Sequence, residues 1–310
     1  MTWHGHILDV LRARDLTVAA GEHYLVAQCD HATLAAALRE AGVMVDALIV
    51  DAPYSERTHS GHDDAQGSAD RMRAWVSRNS AHPLAQQTRA AASKRGLMKR
   101  PIDYAPWSGN DVDGFVTQWA LSVRGWICSL TDHLLAPAWA ASMDAASRYA
   151  FSPIACVEPG SRVRMSGDGP AQWSTWLVSS RPRTREWQQW GSLPGAYVVP
   201  TGQNERKATD GGFAGRVVGG KPLWLMRAIV GDYSAHGDLV CDPCMGAGTT
   251  LVAAVELGRR AIGCEPDAGR FEVACKRLAK ARPQLRMRLD VEAVRGEQSA
   301  WAMPRTGGDE

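Results

Sequence analysis

The stretch D-P-C-M-G-A-G-T-T at residues 242–250 constrains the possible fold of this chain more than any other. It follows a short apolar run at residues 238–241, which predicts a buried strand, and it leads into an apolar run with helical spacing. Gly246 and Gly248 predict a tight turn between the two. A strand, a glycine turn and a helix start form a cradle for an anionic or zwitterionic ligand, because the backbone can approach the ligand and the first helical N–H groups point towards it.

An acidic residue follows the next predicted strand. This strand covers residues 259–264, and Glu265 comes directly after it. A carboxylate at that point can accept hydrogen bonds from both ribose hydroxyls of a nucleoside. The pattern favours a nucleoside cofactor, although a plain strand–helix unit has the same local pattern. A nicotinamide oxidoreductase would place a third glycine where Leu251 stands.

The amino-terminal part repeats the alternation of strand and helix. Residues 23–28 predict a strand, residues 31–42 a helix with a terminal glycine, and residues 45–50 a buried strand. Strand, helix and strand in succession indicate an α/β fold with a parallel sheet, whose ligands lie beyond the carboxyl ends of the strands. Four acids would then share one edge of the sheet: Asp30, Asp51, Asp242 and Glu265.

The remaining elements are predicted from their periodicity and their turn residues. Helices are expected at residues 112–124, 134–147, 223–230 and 266–281, and strands at 125–130, 149–157 and 173–179. The last two strands are expected to pair as a hairpin. Residues 180–218 are rich in Pro, Gly and Arg and predict an inserted irregular module outside the sheet.

The tetrapeptide D-A-P-Y at residues 51–54 ends a buried strand and can hold an amino group. The Asp51 carboxylate and the Ala52 carbonyl can accept two hydrogen bonds from one –NH2 group, while Pro53 restricts the backbone that aims this carbonyl. Tyr54 offers a flat face for a planar base. Two acceptors on an exocyclic amine would free its lone pair for attack. By itself, a strand-end Asp-x-Pro is also typical of a plain turn.

Three segments together resemble the DNA amino-methyltransferases. D-A-P-Y resembles their catalytic D-P-P-Y motif, and residues 242–250 resemble their S-adenosylmethionine motif D-P-F-x-G-S-G-T-T. G-G-K-P-L-W-L-M at residues 219–226 resembles the K-P-x-x-L segment that precedes the cofactor motif. The order of the segments is that of the circularly permuted β class. The resemblance implies a Rossmann-like class I methyltransferase sheet that is mostly parallel with one antiparallel hairpin strand.

The resemblance also implies a role for each matching residue. The catalytic residues would be Asp51, Ala52, Pro53 and Tyr54. The cofactor-binding residues would be Asp30, Lys221, Pro222, Asp242, Pro243, Gly246, Gly248, Thr249 and Glu265. Asp30 could equally be a helix N-cap, and Lys221 a surface residue. Residues 1–179 would form the catalytic half, with a basic insertion at 55–112; residues 180–218 would recognise the target; residues 219–310 would form the cofactor-binding half.

The departures from the family motifs affect the expected substrate. Ala52 replaces the first proline of the catalytic motif, and Cys244 replaces the usual phenylalanine of the cofactor motif. Aspartate at position 51 favours adenine N6 over cytosine N4 as the target. Methylation of cytosine N4, and a catalytically silent DNA-binding relative, remain the alternatives.

The charge pattern predicts DNA as the partner. The net charge is only +2, yet residues 71–102 contain eight basic residues and no acid. The predicted DNA contacts are Lys94, Arg95, Lys99 and Arg100 in that stretch, and Arg181, Arg183 and Arg185 in the inserted module. The resemblance implies a homodimer.

Metal and membrane binding are not expected. Cys241-x-x-Cys244 lacks a matching second pair of ligands. His59-x-x-His62, with Asp63 and Asp64 beside it, could bind a metal, but it lies in a predicted flexible polar loop, so we expect no metal. The seven cysteines show no paired framework, and no apolar run reaches the roughly 20 residues of a membrane span. We therefore expect a cytoplasmic protein with reduced thiols, encoded by a bacterium or a phage.

Overall fold

The computed structural model describes residues 3–59, 78, 81–83, 86, 104–157, 174–184, 190–198 and 220–284. Within these residues a ten-stranded sheet runs through the molecule in the order β1-β2-β10-β9-β3-β4-β7-β6-β8, and β5 pairs with β7 beside this path. The strands are β1 (Val18–Ala20), β2 (Tyr24–Ala27), β3 (Val45–Asp51), β4 (Val123–Thr131), β5 (Arg148–Ala150), β6 (Ile154–Val157), β7 (Ser174–Pro182), β8 (Ala196–Val198), β9 (Leu239–Asp242) and β10 (Arg260–Cys264).

Helices cover both faces of the sheet. They are α1 (Gly5–Ala13), α2 (His31–Glu40), α3 (Gly109–Trp119), α4 (Ala136–Ala145), α5 (Leu223–Tyr233), α6 (Thr249–Glu256) and α7 (Ala268–Leu278). The first four helices contribute to one apolar cluster, and the last three contribute to a second cluster on the opposite face. β3 contributes side chains to both clusters. Leu48 and Val50 belong to the first, and Ala47 and Ile49 belong to the second. Burial on both faces explains why β3 is almost continuously apolar.

The centre of the sheet is parallel, as predicted. β2, β10, β9, β3 and β4 are parallel neighbours, whereas β7 is antiparallel to β4, β5 and β6, and β1 is antiparallel to β2. The antiparallel part is therefore larger than the single hairpin strand that we expected. β9 and β10, from late in the chain, lie between β2 and β3, from early in the chain. This is the strand order of a permuted α/β sheet.

Most predicted elements differ in their limits by a few residues, and two of them differ in form as well. The helix expected at residues 112–124 ends at Trp119 and continues as a 3-10 turn, Ala120–Ser122, before β4 begins at Val123. The strand expected at 149–157 is split into β5 and β6. Ala150 lies opposite Ser180 and Ile154 opposite Leu177, so this side contains one extra residue, as in a β-bulge.

The prediction that residues 180–218 lie outside the sheet is wrong for two short segments. β7 extends to Pro182, and β8 forms an edge strand that runs parallel to β6. A boundary at residue 179 would cut through β7. The proposed division into a catalytic half, a recognition insertion and a cofactor-binding half otherwise stays a prediction. In the part of the chain that the structure describes, no helix has the length and apolarity needed to cross a bilayer.

Candidate active site at the carboxyl edge of the sheet

A pocket of about 220 Å³ opens where β9 and β3 lie side by side. The chain leaves β9 towards β10 and leaves β3 towards β4, on opposite sides of this pair. Such a switch point leaves a crevice at the carboxyl ends of the strands, where ligands of α/β proteins bind. Of the predicted site residues, those that line the pocket are Asp30, Asp51, Pro53, Lys221, Asp242, Pro243, Gly246, Thr249 and Glu265. Ala52, Tyr54, Pro222 and Gly248 adjoin these residues in sequence.

The glycine turn has the backbone that its sequence predicts. Gly246 and Gly248 have φ values of +50° and +75°, in the left-handed region that favours glycine. A β-carbon on Gly248 would lie 3.1 Å from Cβ of Ala274 in α7, so close packing also requires glycine there. Gly248 is the N-cap of α6 and supplies no side chain to cap it. The first N–H groups of α6 are therefore directed towards the pocket, beside Thr249.

Glu265 connects the second strand of this unit to the turn. Its Oε2 accepts a hydrogen bond from the Gly246 N–H at 3.1 Å, and its Oε1 accepts from the Asp267 N–H at 3.1 Å and from Nε of Arg270 at 3.0 Å. The side chain is 7% exposed. It thus fixes the position of the turn and presents a carboxylate to the pocket, as a ribose-binding group requires.

Asp242 is buried beneath the pocket. Its Oδ1 accepts a hydrogen bond from the Cys244 N–H at 3.1 Å, and the Thr250 hydroxyl is a second neutral partner. Burial raises the pKa of Asp242 to about 7. The two hydrogen bonds oppose this shift, and the negative charges of Asp51 and Glu265 add to it. A cationic group of a ligand would restore the charged form of this carboxylate.

Asp30 is a helix N-cap, one of the two interpretations that the sequence left open, while its role in cofactor binding stays a prediction. It is the N-cap of α2, where its Oδ1 accepts a hydrogen bond from the Thr33 N–H at 2.7 Å. That hydrogen bond lowers the pKa of the Asp30 carboxyl. Asp30 also lines the pocket, so capping does not remove it from the site.

The D-A-P-Y segment forms a compact polar group with Lys221. Nζ of Lys221 donates a hydrogen bond to Oδ2 of Asp51 at 2.7 Å, and the Tyr54 hydroxyl donates to Oδ1 at 3.2 Å. The Lys221 Nζ also lies 4.8 Å from the centroid of the Tyr54 ring. Burial raises the pKa of Asp51 by more than these two neighbours lower it. Burial, the largest single influence, lowers the pKa of Lys221, but the Asp51 carboxylate and the Tyr54 hydroxyl together outweigh it and raise this pKa.

A buried aspartate that the sequence analysis missed holds the end of this segment. Asp132 follows β4, and its Oδ2 accepts hydrogen bonds from the Ser55 N–H at 2.9 Å, the Ser55 hydroxyl at 2.5 Å and the Thr58 hydroxyl at 2.6 Å. Its Oδ1 accepts from the N–H groups of Leu134 and Leu135. The chain directly after Tyr54 is thereby fixed to the neighbouring strand. The signal that could have found Asp132 is its position at a strand end, which matches that of Asp51.

Other pocket residues were also missed, because they come from segments without a motif. Tyr104 and Trp107 precede α3, His31 begins α2, and Arg270 lies in α7. Arg270 lies over the Tyr104 ring at 5.6 Å while it pairs with Glu265. His31 and Trp107 are in edge contact, with ring centroids 5.9 Å apart. These side chains give the pocket flat apolar surfaces that could hold a nucleoside base.

The two predicted DNA contacts that the structure describes, Arg181 and Arg183, do not line the pocket. Asp51 pairs with Leu130 of β4, and Leu130 pairs with Leu177 of β7, so these three residues lie at the same level of the sheet. Arg181 comes four residues after Leu177 in β7. Four residues along a strand correspond to roughly 13 Å, directed towards the opposite edge of the sheet. There Arg181 lies over Tyr149, and Arg183 pairs with Asp144 at 2.9 Å. Lys94, Arg95, Lys99, Arg100 and Arg185 lie outside the described residues.

Parts of this chain are similar in sequence to DNA methyltransferases. Residues 173–276 match the N6/N4 family model described as DNA methylase. The type II methyltransferase M.HindIII of Haemophilus influenzae is 43% identical over 58 residues, which are 19% of this chain and 19% of that protein. M2.DpnII of Streptococcus pneumoniae is 39% identical over 66 residues, 21% of this chain and 25% of that protein. The matched part thus spans a quarter or less of either relative.

Solved structures show the same fold. The complex of M1.HpyAVI with SAM superimposes with a TM-score of 0.54 at 17% identity, over 82% of this chain and 100% of that chain. M1.HpyAVI by itself gives a TM-score of 0.52 at 16% identity, over 82% of this chain and 98% of that chain.

Proposed function

We propose that this chain, whose residues 173–276 match the N6/N4 family model described as DNA methylase, transfers a methyl group from S-adenosylmethionine to adenine N6 in double-stranded DNA. The observation that carries the proposal is the shared pocket. Asp51, which ends the D-A-P-Y strand, and Gly246, from the cofactor-type turn, line the same cavity although they lie far apart in the chain. A donor and an acceptor of a methyl group need such a common space.

The residues of the pocket fit S-adenosylmethionine. Its ammonium group would pair with Asp242, its ribose hydroxyls with Glu265, and its adenine with Asp30 and the aromatic side chains nearby. When bound, the cofactor supplies an electrophilic methyl group on a positively charged sulfur. Asp242 supports the assignment because a buried carboxylate with only neutral partners gains from a cationic ligand.

The D-A-P-Y residues would position the target base. Asp51 and the Ala52 carbonyl would accept the two amine hydrogens, and Tyr54 would stack on the ring of a base that has rotated out of the duplex. Mostly this is positioning and electrostatic stabilisation, since the amine is weakly nucleophilic. Ala52 lacks the restraint of a proline, but it is only 2% exposed, and Asp132 holds the following residues. These contacts support an active site despite the altered motif.

The target base is tested by methylation of DNA in vitro. The purified chain is incubated with genomic DNA and labelled S-adenosylmethionine, and the digested nucleosides are identified. We expect N6-methyladenine. N4-methylcytosine would establish the alternative amine instead, and DNA binding without any methyl transfer would favour a silent relative.

The role of Asp51 is tested by Asp51→Asn in the same assay. Replacing the carboxylate by an amide of equal shape removes one acceptor and should lower turnover by about 100-fold or more. Binding of S-adenosylhomocysteine should not be weakened. Asp113→Asn, on the exposed surface of α3, is the matched control. Turnover of Asp51→Asn near that of the control would refute the assignment.

The further partners implied by the resemblance remain proposals. A homodimer and DNA contacts from the basic stretch at residues 71–102 are consistent with the proposed reaction. The bacterial cytoplasm holds both substrates of this reaction and is the compartment that the proposal requires.

A further inference from the structure

Lys221 occupies a position that the proposed reaction assigns to its substrate. The residue directly precedes α5, and its side chain is 15% exposed. Its ammonium group donates to Oδ2 of Asp51 at 2.7 Å and lies 4.8 Å from the centroid of the Tyr54 ring. A target amine would need the same carboxylate as its acceptor and the same ring as its stacking surface.

Both oxygens of Asp51 are engaged in this arrangement. Oδ1 accepts from the Tyr54 hydroxyl at 3.2 Å, and Oδ2 accepts from Lys221. A neutral exocyclic amine competes poorly with an ammonium group for a carboxylate, because charge-assisted hydrogen bonds are stronger. A target amine must therefore compete with Lys221 for Oδ2 of Asp51, and it binds better once Lys221 has moved away.

A second carboxylate could draw Lys221 away from Asp51. The methionine part of S-adenosylmethionine carries a carboxylate. Among the residues that the structure describes, two side chains with a permanent positive charge line the pocket, Lys221 and Arg270. Arg270 pairs with Glu265, at the end of the pocket where the ribose would lie. Lys221 is the cation at the Asp51 end, where the methyl group would be transferred.

We propose that Lys221 is a placeholder for the target amine, which holds Asp51 in the empty enzyme and transfers to the cofactor carboxylate when the cofactor binds. The proposal rests on the proposed function and adds a positioning role for Lys221. Lys221 would thereby couple the binding of the cofactor to the binding of the target base. Cofactor binding frees Asp51, so a target base then binds more tightly.

The experiment measures the coupling between cofactor and DNA. The DNA is a duplex that contains a target site identified from the methylated genomic DNA, with 2-aminopurine next to the target base, which keeps its amine, to report unstacking. Its affinity is measured with and without S-adenosylhomocysteine, and with 5′-methylthioadenosine, which lacks the carboxylate. We expect S-adenosylhomocysteine to tighten binding of the wild type by roughly tenfold and 5′-methylthioadenosine to have no such effect.

Variants separate the placeholder from a structural lysine. When no cofactor is present, Lys221→Met should bind the duplex more tightly than the wild type does. S-adenosylhomocysteine should then no longer tighten the binding of the duplex to this variant. Lys221→Arg keeps a cation at this position and should retain part of the coupling. Lys276→Met, at an exposed lysine of α7, is the control and should behave as the wild type. Thermal unfolding of each variant verifies that it is folded.

The outcomes distinguish the two proposals. If Lys221→Met is folded and retains the full coupling, the placeholder role is refuted and the methyltransferase proposal stands. If the wild type binds the duplex and S-adenosylhomocysteine without coupling, the placeholder role is likewise refuted. If the wild type neither binds S-adenosylhomocysteine nor methylates DNA, the proposed function itself fails.

Discussion

At the scale of single residues, the carboxylates around the pocket divide into two groups by their surroundings. Hydrogen bonds from backbone and hydroxyl groups lower the pKa values of Asp30 and Asp132, although burial opposes the shift, and both residues cap or anchor a chain segment. Burial raises the pKa values of Asp51 and Asp242, which face the space for ligands. The first pair therefore stabilises the local backbone, whereas the second pair depends on a ligand or on Lys221 for its counter-charge.

The pKa of Asp242 predicts how cofactor binding depends on pH. This carboxyl titrates at about 7 in the empty pocket, so its charged form is lost as the pH falls below that value. The affinity for S-adenosylhomocysteine should then fall by up to about tenfold per pH unit. The α-amino group of the ligand loses its own charge above about pH 8, which sets the upper limit of the window. Isothermal titration calorimetry with S-adenosylhomocysteine, carried out within this pH window and below pH 7, measures the predicted fall in affinity.

The same shift affects the stability of the empty protein with the opposite sign. Asp242 binds its proton more tightly when folded than when unfolded, so its contribution to the free energy of unfolding decreases as the pH rises from about 4 to about 7. Asp242→Asn should remove both pH dependences. A pH-independent affinity in the wild type would show that Asp242 does not carry the charge that binds the ligand.

At the scale of elements, the glycine turn between β9 and α6 is held by contacts with β10 and with α7. The Met245 N–H donates to the Cys264 carbonyl at 3.1 Å, and Nη1 of Arg277 in α7 donates to the Ala247 carbonyl at 2.6 Å. The Gly248 Cα packs against Ala274 of the same helix. The shape of the cradle thus depends on α7 as well as on its own sequence.

Two glycine substitutions test this dependence. Gly248→Ala should destabilise the protein by about 1–3 kcal/mol, because the added methyl group meets Ala274 at a positive φ. It should also weaken the binding of S-adenosylhomocysteine. Gly231→Ala, in the last turn of α5, meets nothing within 4 Å and should stabilise the helix by up to about 1 kcal/mol. Chemical unfolding and ligand titration of both variants provide the comparison, and equal effects would contradict the proposed packing role.

At the scale of the whole molecule, the sheet separates two surfaces. The pocket lies at the carboxyl edge of the parallel strands, while Arg181 and Arg183 lie towards the opposite edge, where they contact Tyr149. The basic stretch at residues 71–102 follows the D-A-P-Y segment in the chain, and the described chain resumes at Tyr104 beside the pocket. Pro53 and Tyr104, described residues on either side of this stretch, both line the pocket.

This arrangement predicts which basic residues dominate DNA binding. Replacing Lys94, Arg95, Lys99 and Arg100 with glutamine should flatten the log–log salt dependence of DNA affinity by about 0.9 for each phosphate contact that is lost. The double variant Arg181→Gln/Arg183→Gln should change the slope less. Fluorescence anisotropy at several salt concentrations measures both slopes. A larger change in the double variant would instead place the DNA on the Arg181 surface.

The sequence by itself determined the parallel α/β core, the glycine turn and the acids at the strand ends. These features depend on local patterns, since an apolar run bounded by turn residues and a glycine at a positive φ are encoded within a few neighbouring residues. The motif segments also identified most of the residues that line the pocket. The limits of β5, β6, β7 and β8 could not be read in this way, because a bulge and an edge pairing depend on a partner strand.

Only the tertiary structure decided which charged groups meet. The ion pair between Asp51 and Lys221 joins residues that are distant in the chain, as do the hydrogen bonds from Ser55 to Asp132. It also placed Arg181 and Arg183 away from the pocket. The pKa values of Asp51 and Asp242 follow from burial, which no local pattern specifies. Electrostatic interactions at the site depend on distance and desolvation in space, and folding sets both through contacts between remote segments.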